Sequence, residues 1–361
     1  MRKLASIKTV SSLVPIEGRD KIELAIIDGW SVIVKKGEFQ IGGKCVYCEI
    51  DSVMPETEQF EFLRPKNFRI KTMKMAGVVS QGICFPLNIL PQGDYKVEQD
   101  VTEILKIKQY EPTMDKETEP VTKAASKTKY PKWLMKFGFF RQWVYKRDHR
   151  EGKGFPSFIS KTDETRIQNM PWILSNIDPW IATEKIDGQS GTFALVRRKS
   201  KIPFVKDKFE YIVCSRNLRL FSKSDASYWQ VSEKYGIESL LHKLIGDGEW
   251  VAIQGECVSP SVQGNKYKVS EPDLYVFNLI YPGGRIGSSV AKETCESIGL
   301  KFVPILDTAY KLPDTVLGIF DYAHGKSAIG DTIREGVVFR SQDGKQSFKA
   351  VDPLFLLKYD E

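Results

Sequence analysis

The chain has 361 residues, 42% hydrophobic and 27% charged, a balance that suits a soluble globular protein with two ordinary domains, each with a core. No apolar run reaches the ~18 residues of a membrane span, and Met1-Arg-Lys-Leu-Ala-Ser-Ile-Lys8 lacks the apolar stretch of a secretory signal, so a cytoplasmic or nuclear monomer without membrane attachment is the default expectation. The net charge of +7 suits a polyanionic partner, while six scattered cysteines and three histidines without ligand spacing argue against a disulfide framework and against histidine chemistry.

Residues 1–105 read as short strands broken by glycines. Alternation runs through Ile22–Val34, Lys44–Ile50 and Gln81–Leu87, which predicts a small closed β-barrel with no helix of note. Cys45-Val-Tyr-Cys48 lies inside one of these runs and has no second ligand pair nearby, so it reads as strand and not as a zinc site. Between the strands, Arg64, Lys66, Arg69, Lys71 and Lys74 surround Phe68. Such a segment is either a nucleic-acid edge, with cations for phosphates and a ring for a base, or an ordinary solvated loop.

Residues 106–159 divide into a Lys-, Glu-, Thr- and Pro-rich linker and an arm, Tyr130–Arg147, that interleaves aromatics with cations. The arm is expected to pack its rings on the second domain, with its cations available to a nucleic-acid backbone. From Ser160 to residue 361 the pattern becomes α+β. A helix is expected from Lys161 to Asn169 with Thr162 as N-cap and acids in its first turn. Strands are expected at 181–187, 192–197, 211–214, 251–256, 273–279, 335–340 and 346–350, with helices near 226–244 and 288–298.

The most informative string is Thr183-Glu-Lys185-Ile-Asp187-Gly188. On a strand, Lys185 and Asp187 would share a face while Ile186 enters the core, and Gly188 would permit a tight turn. Alone, K-x-D-G is a weak motif. It gains force from five further strings in chain order: Ser215-Arg-Asn217, Gln254-Gly-Glu256, Leu274–Ile280 with Phe277, Glu335–Arg340 and Ser347-Phe-Lys349. A lysine of ordinary pKa, about 10.4, is almost wholly protonated at neutral pH, yet only the free amine is a nucleophile. A divalent cation and a second lysine beside Lys185 would depress its pKa. Asp187, Glu256 and Glu335 are the carboxylates such an ion needs, and Mg²⁺ or Mn²⁺ would keep several waters of its own.

This collinear series resembles the covalent nucleotidyltransferase superfamily of ATP-dependent ligases and RNA capping enzymes. The resemblance implies an adenylyltransferase domain of antiparallel sheets with flanking helices, in which Lys185 forms a lysyl–AMP. It implies that Glu184 lies near the adenine amino group, that Phe277 stacks on the base, that Arg216 and Glu256 lie near the ribose, and that Lys349 holds the α-phosphate. Many members end on two lysines one residue apart. Here the second slot is Val351, so either Lys358 reaches in or one lysine suffices.

Twelve residues, 350–361, come after Lys349, whereas DNA ligases and capping enzymes of this superfamily usually continue into an OB domain. The barrel-like module stands before the catalytic region instead. That order, with Val14-Pro-Ile-Glu-Gly18, Ile50-Asp-Ser52 and Val79-Ser-Gln-Gly82, resembles ATP-dependent RNA ligases with an N-terminal OB module. The implied activity is sealing of 3′-OH and 5′-phosphate ends at nicks in duplex RNA or RNA–DNA hybrids. A DNA ligase, a capping guanylyltransferase and a non-catalytic RNA-binding protein are the alternatives.

Overall fold

In the strand Arg19–Ile27 the inward positions are Glu23, Ala25 and Ile27, and in the strand Trp30–Lys35 they are Trp30, Val32 and Val34. The register Ile27↔Trp30, Ala25↔Val32 puts both sets on one face, as period-2 alternation requires. The computed structural model describes residues 3–110, 154–200, 202, 204–220 and 227–359; the arm at 130–147 lies outside them. Ser12–Ile16 extends this hairpin to three strands, Ala5–Thr9, Lys44–Cys48 and Ile83–Phe85 form a second sheet, and Thr72–Met75 pairs with Val78–Gln81. These sheets enclose one core that includes Ile7, Trp30, Tyr47 and Phe60. Phe60 belongs to a 3₁₀ segment, Glu58–Lys66, that the strand pattern did not announce. All six cysteines are free and buried, including the pair Cys45 and Cys48 read as strand.

Among the described residues the second half is built on two sheets, antiparallel but for the short strand Lys301–Phe302, which pairs parallel with Asp273–Tyr281. The larger has seven strands, among them Gln189–Arg198, Lys208–Cys214, Trp250–Val258 and Asp273–Tyr281. Helices Ser227–Tyr235, Ile237–Leu244 and Ser288–Ser297 bury Val231, Leu241 and Cys295 in the core that Phe193 and Ile253 form on its face. The smaller sheet orders Ile305–Tyr310, Trp180–Lys185, Gly336–Ser341 and Ser347–Val351. Helix Val316–Ala323 covers it with Ile319 and Ala323, against Trp180, Phe339 and Phe348.

One expected helix is absent. Residues 161–165 form no regular element, Arg166 is extended, and only Ile167–Asn169 makes a 3₁₀ turn. The two acids read as a first helical turn are taken by cations instead. Asp163 pairs with Lys349 and Arg216, and Glu164 with Arg285 and Arg340. The backbone joins the small sheet, where the Lys349 N–H donates to the Thr165 carbonyl at 2.8 Å.

The same segment is the seam with the N-terminal module. Trp30 Nε1 donates to Asn169 Oδ1 at 2.7 Å, and Asn169 Nδ2 donates to Glu49 Oε1 at 2.8 Å. A Cβ on Gly29 would stand 2.7 Å from the Gln168 Cα, so only glycine lets the two backbones approach this closely.

Candidate active site

Lys185 is the last residue of its strand and pairs with Gly336. The chain then leaves the small sheet, and Ile186–Gly188 carry it to Gln189, the first residue of the larger one. K-x-D-G therefore spans the crossing between sheets. Ile186 enters the large core as expected; Asp187 lies beyond the strand end, yet its carboxylate and the Lys185 ammonium still act on each other. Gly188 lies at a bend, and closeness also requires a glycine there, because a Cβ would lie 2.5 Å from the Cys257 carbonyl oxygen.

Glu335 immediately precedes Gly336, so the pairing delivers its carboxylate to the lysine. Lys185 Nζ lies 2.6 Å from Glu335 Oε2, and both side chains are largely buried. Burial pushes the Lys185 pKa down, but Glu335, Glu256 and Asp187 outweigh it and the net direction is up. The sequence anticipated a depressed lysine; the three carboxylates reverse that in the protein alone.

The acids constrain one another. Burial, with repulsion from Glu335, raises Asp187 to about 6, against Lys266 at 2.5 Å and Lys185. Burial raises Glu256 to about 7, opposed by Lys185 and by Ser190, whose hydroxyl donates to Glu256 Oε2 at 2.9 Å. Among the described residues no three His, Cys, Asp or Glu side chains are grouped closely enough to ligate one ion directly. The cluster can instead hold a hydrated divalent cation, the form Mg²⁺ keeps most readily.

Glu184, one residue earlier, is buried, and burial raises its pKa. Its two oxygens accept from the Ser327 hydroxyl at 2.5 Å and the Ala328 N–H at 2.8 Å. Lys349, on the far strand of the small sheet, places Nζ 2.6 Å from Asp163 Oδ1. Burial holds its pKa down, at about 8. Arg216 reaches the other Asp163 oxygen at 3.1 Å. Phe277 sits where the register slips between Gln254↔Asn278 and Gly255↔Val276, a bulge of the kind that re-aims a side chain. Val351 is buried opposite Gly336, and Lys358 lies over the Tyr359 ring at 4.9 Å.

The N-terminal cations divide. Arg64 is exposed on the 3₁₀ segment, with Glu61 and Glu56 beside it and the Phe68 ring below. Lys66 contacts Met73 Sδ, and Lys74 lies on the exposed hairpin strand. Arg69 faces inward, 2.8 Å from Asp51 and 3.7 Å over the Tyr110 ring.

A family model described as RNA ligase matches residues 178–359, the span of both sheets from Lys185 to Lys349. The chain belongs to the RNA ligase family. An OB-fold domain model matches residues 4–87 of this ligase. Its fold is similar to that of a Naegleria gruberi RNA ligase solved with pyrophosphate, at 30% identity and a TM-score of 0.81 over 100% of this chain and 99% of that one. Variants of that ligase solved with ATP and Mn and with AMP and Mn give TM-scores of 0.80 and 0.81 at the same 30% identity. The first covers 100% of both chains, the second 99% of both. No curated protein matches the chain. The fold class expected for an RNA ligase, an OB module before an α+β domain of antiparallel sheets, is the one observed. Among the described residues no helix of this ligase is long and apolar enough to cross a membrane.

Sequence reasoning missed Asp163, Ser190, Lys266, Tyr267 and Ser327. Asp163 resembled a helix-capping acid. The others lie in loops or at a strand start, where no periodicity marks them.

Proposed function

We propose that this RNA ligase takes AMP from ATP onto Lys185, passes it to an RNA 5′-phosphate and directs the 3′-OH of a nicked duplex or RNA–DNA hybrid onto that phosphate. The observation that carries the reading is Lys185 Nζ at 2.6 Å from Glu335, within a cluster of acids and cations gathered from five separated segments. Lys185 Nζ forms a bond to the α-phosphorus as the bond to the β-phosphate oxygen breaks and pyrophosphate leaves. Before that, the ammonium must lose a proton, and Glu335 Oε2 is within hydrogen-bond reach of it.

Asp187, Glu256 and Glu335 would hold Mg²⁺ or Mn²⁺ through water. The ion supplies positive charge that opposes the ammonium and offsets charge on the phosphate. Lys349 and Arg216, joined through Asp163, face the α-phosphate and ribose. Glu184, oriented by Ser327 and Ala328, reads the adenine amino group, and Phe277 stacks on the base. We divide the chain into an OB module at 1–105 that grips the duplex by its A-form shape and 2′-hydroxyls, a linker and arm at 106–159, and a catalytic domain at 160–361.

The test uses α-³²P-labelled ATP with Mg²⁺ or Mn²⁺, then nicks with RNA or DNA at the 3′ end. Label on Lys185 that moves to the 5′-phosphate and leaves as AMP on sealing is the expected result. Label from GTP would favour capping, and indifference to the 3′ sugar would remove the RNA specificity.

A further inference from the structure

Lys266 belongs to none of the motif strands, yet its Nζ lies 2.5 Å from Asp187 Oδ2, with 14% exposure for each side chain. The neighbouring Tyr267 hydroxyl accepts the Asp187 N–H at 2.8 Å, so two successive residues hold the backbone and the carboxylate of one acid. Their loop is closed on itself: Asn265 Nδ2 donates to the Val269 carbonyl at 3.0 Å, and the Val269 N–H returns to Asn265 Oδ1 at 2.9 Å.

The ammonium is also seated from the other side. It lies 5.3 Å from the Phe355 ring and 5.0 Å from the Tyr359 ring, both on the C-terminal helix Pro353–Tyr359. Phe355 is buried, and the Tyr359 hydroxyl bonds to Thr332 at 2.6 Å. A lysine is a point charge on a flexible stem and by itself fixes little; two ring faces restrict it and favour its charge. Asp187 needs such a hold, because the Glu335 and Glu256 carboxylates share its pocket and like charges push a free carboxylate away.

We propose that Lys266 is a positioning residue for lysine adenylation, fixing the Asp187 carboxylate beside Lys185 while Phe355 and Tyr359 fix Lys266. The inference rests on reading Asp187 as an acid of the ATP site. It makes the C-terminal helix part of the adenylation machinery, acting on Asp187 through the Lys266 ammonium.

The test measures single-turnover labelling of the full chain by ATP, titrated separately with ATP and Mn²⁺. Lys266→Met should slow adenylation at saturating ATP by about 10- to 100-fold, the range seen when the partner of a metal-facing acid is removed. The ATP concentration for half-saturation should stay within about threefold, and more Mn²⁺ should be required. Lys266→Arg should recover most of the rate. Tyr359→Leu should slow the native enzyme but add nothing to Lys266→Met, as residues acting in one chain are non-additive. If Lys266→Met unfolds, Lys266→Gln set against Lys266→Arg makes the same comparison. A wild-type rate for Lys266→Met beside an inactive Asp187→Ala would overturn the inference alone. A wild-type rate for Asp187→Ala would overturn it together with the reading of the acid cluster. Multiplying effects of Lys266→Met and Tyr359→Leu would remove the helix from the scheme.

Discussion

Lys185 Nζ and Glu335 Oε2 meet at 2.6 Å although 150 positions separate them in the chain. The antiparallel pairing of Lys185 with Gly336 makes the contact: it aligns a strand end with a strand start, so the Lys185 and Glu335 side chains emerge at the same edge of the small sheet. Any change that slips this register by one residue would turn one of the two away.

Lys185→Ala and Lys185→Arg should each abolish labelling by ATP. The guanidinium stays protonated and cannot attack phosphorus. Both variants should still seal, at least in part, a nick that already carries a 5′ adenylate, because that step does not use the amine. Gel analysis of the two substrates side by side checks this, and normal labelling of either variant would refute the assignment.

Asp187→Asn, Glu256→Gln and Glu335→Gln should each slow adenylation by about 10²- to 10³-fold, the usual scale when a preorganised charge is removed. Chelation should stop the native reaction, and Mg²⁺ or Mn²⁺ should restore it. A variant of this set that keeps half the native rate would take its residue out of the acid cluster's role.

Burial holds the Lys349 pKa at about 8, with Asp163 pulling it up. Its positive charge is therefore present below pH 8 and lost above, and phosphate binding that depends on it has the same sign. Affinity for an α,β-methylene ATP analogue should weaken as pH rises through this value. Lys349→Arg should flatten the profile, and Asp163→Asn should move it to lower pH. An unchanged profile in both variants would mean that Lys349 does not face the phosphate.

The chemistry of the catalytic half is more legible in the sequence than its geometry. Strand positions come from alternation and β-branched content, and the same alternation places Ile186 in the core, where it lies. The helix expected at 161–169 fails because propensity for a first turn cannot reveal that Arg285 and Arg340 await Glu164 from two different sheets. Period-2 reasoning assumes that the strand continues through Asp187, whereas it ends at Lys185 and the chain crosses to the larger sheet at Gln189. Lys266 has no sequence signal, since its role depends on two rings nearly a hundred residues later.

In the N-terminal module, neutralising Arg64, Lys66 and Lys74 together should weaken nick binding, and the salt dependence should become shallower by about one unit of slope per lost phosphate contact. Arg69→Ala should behave differently. It removes one partner of Asp51, which keeps Arg166 at 3.6 Å, and the cation over Tyr110, so the loss should appear as about 1–3 kcal/mol of stability. Denaturant unfolding beside salt-titrated binding separates the two; unchanged binding in the triple variant would exclude this edge from the RNA contact.

The seam at Gly29, Trp30 and Asn169 sets the terms on which the two halves can be recombined. Trp30, Glu49 and Asn169 form one hydrogen-bonded unit whose parts are encoded in both halves of the chain. An OB module transplanted from a relative would need a glycine to clear Gln168 and an indole to meet Asn169. Without them it would strand buried polar groups on the strip of chain that also carries Asp163 to Lys349. The two modules are thus heritable as a pair, and a junction placed between residues 110 and 154 would separate Trp30 and Glu49 from the Asn169 that they meet.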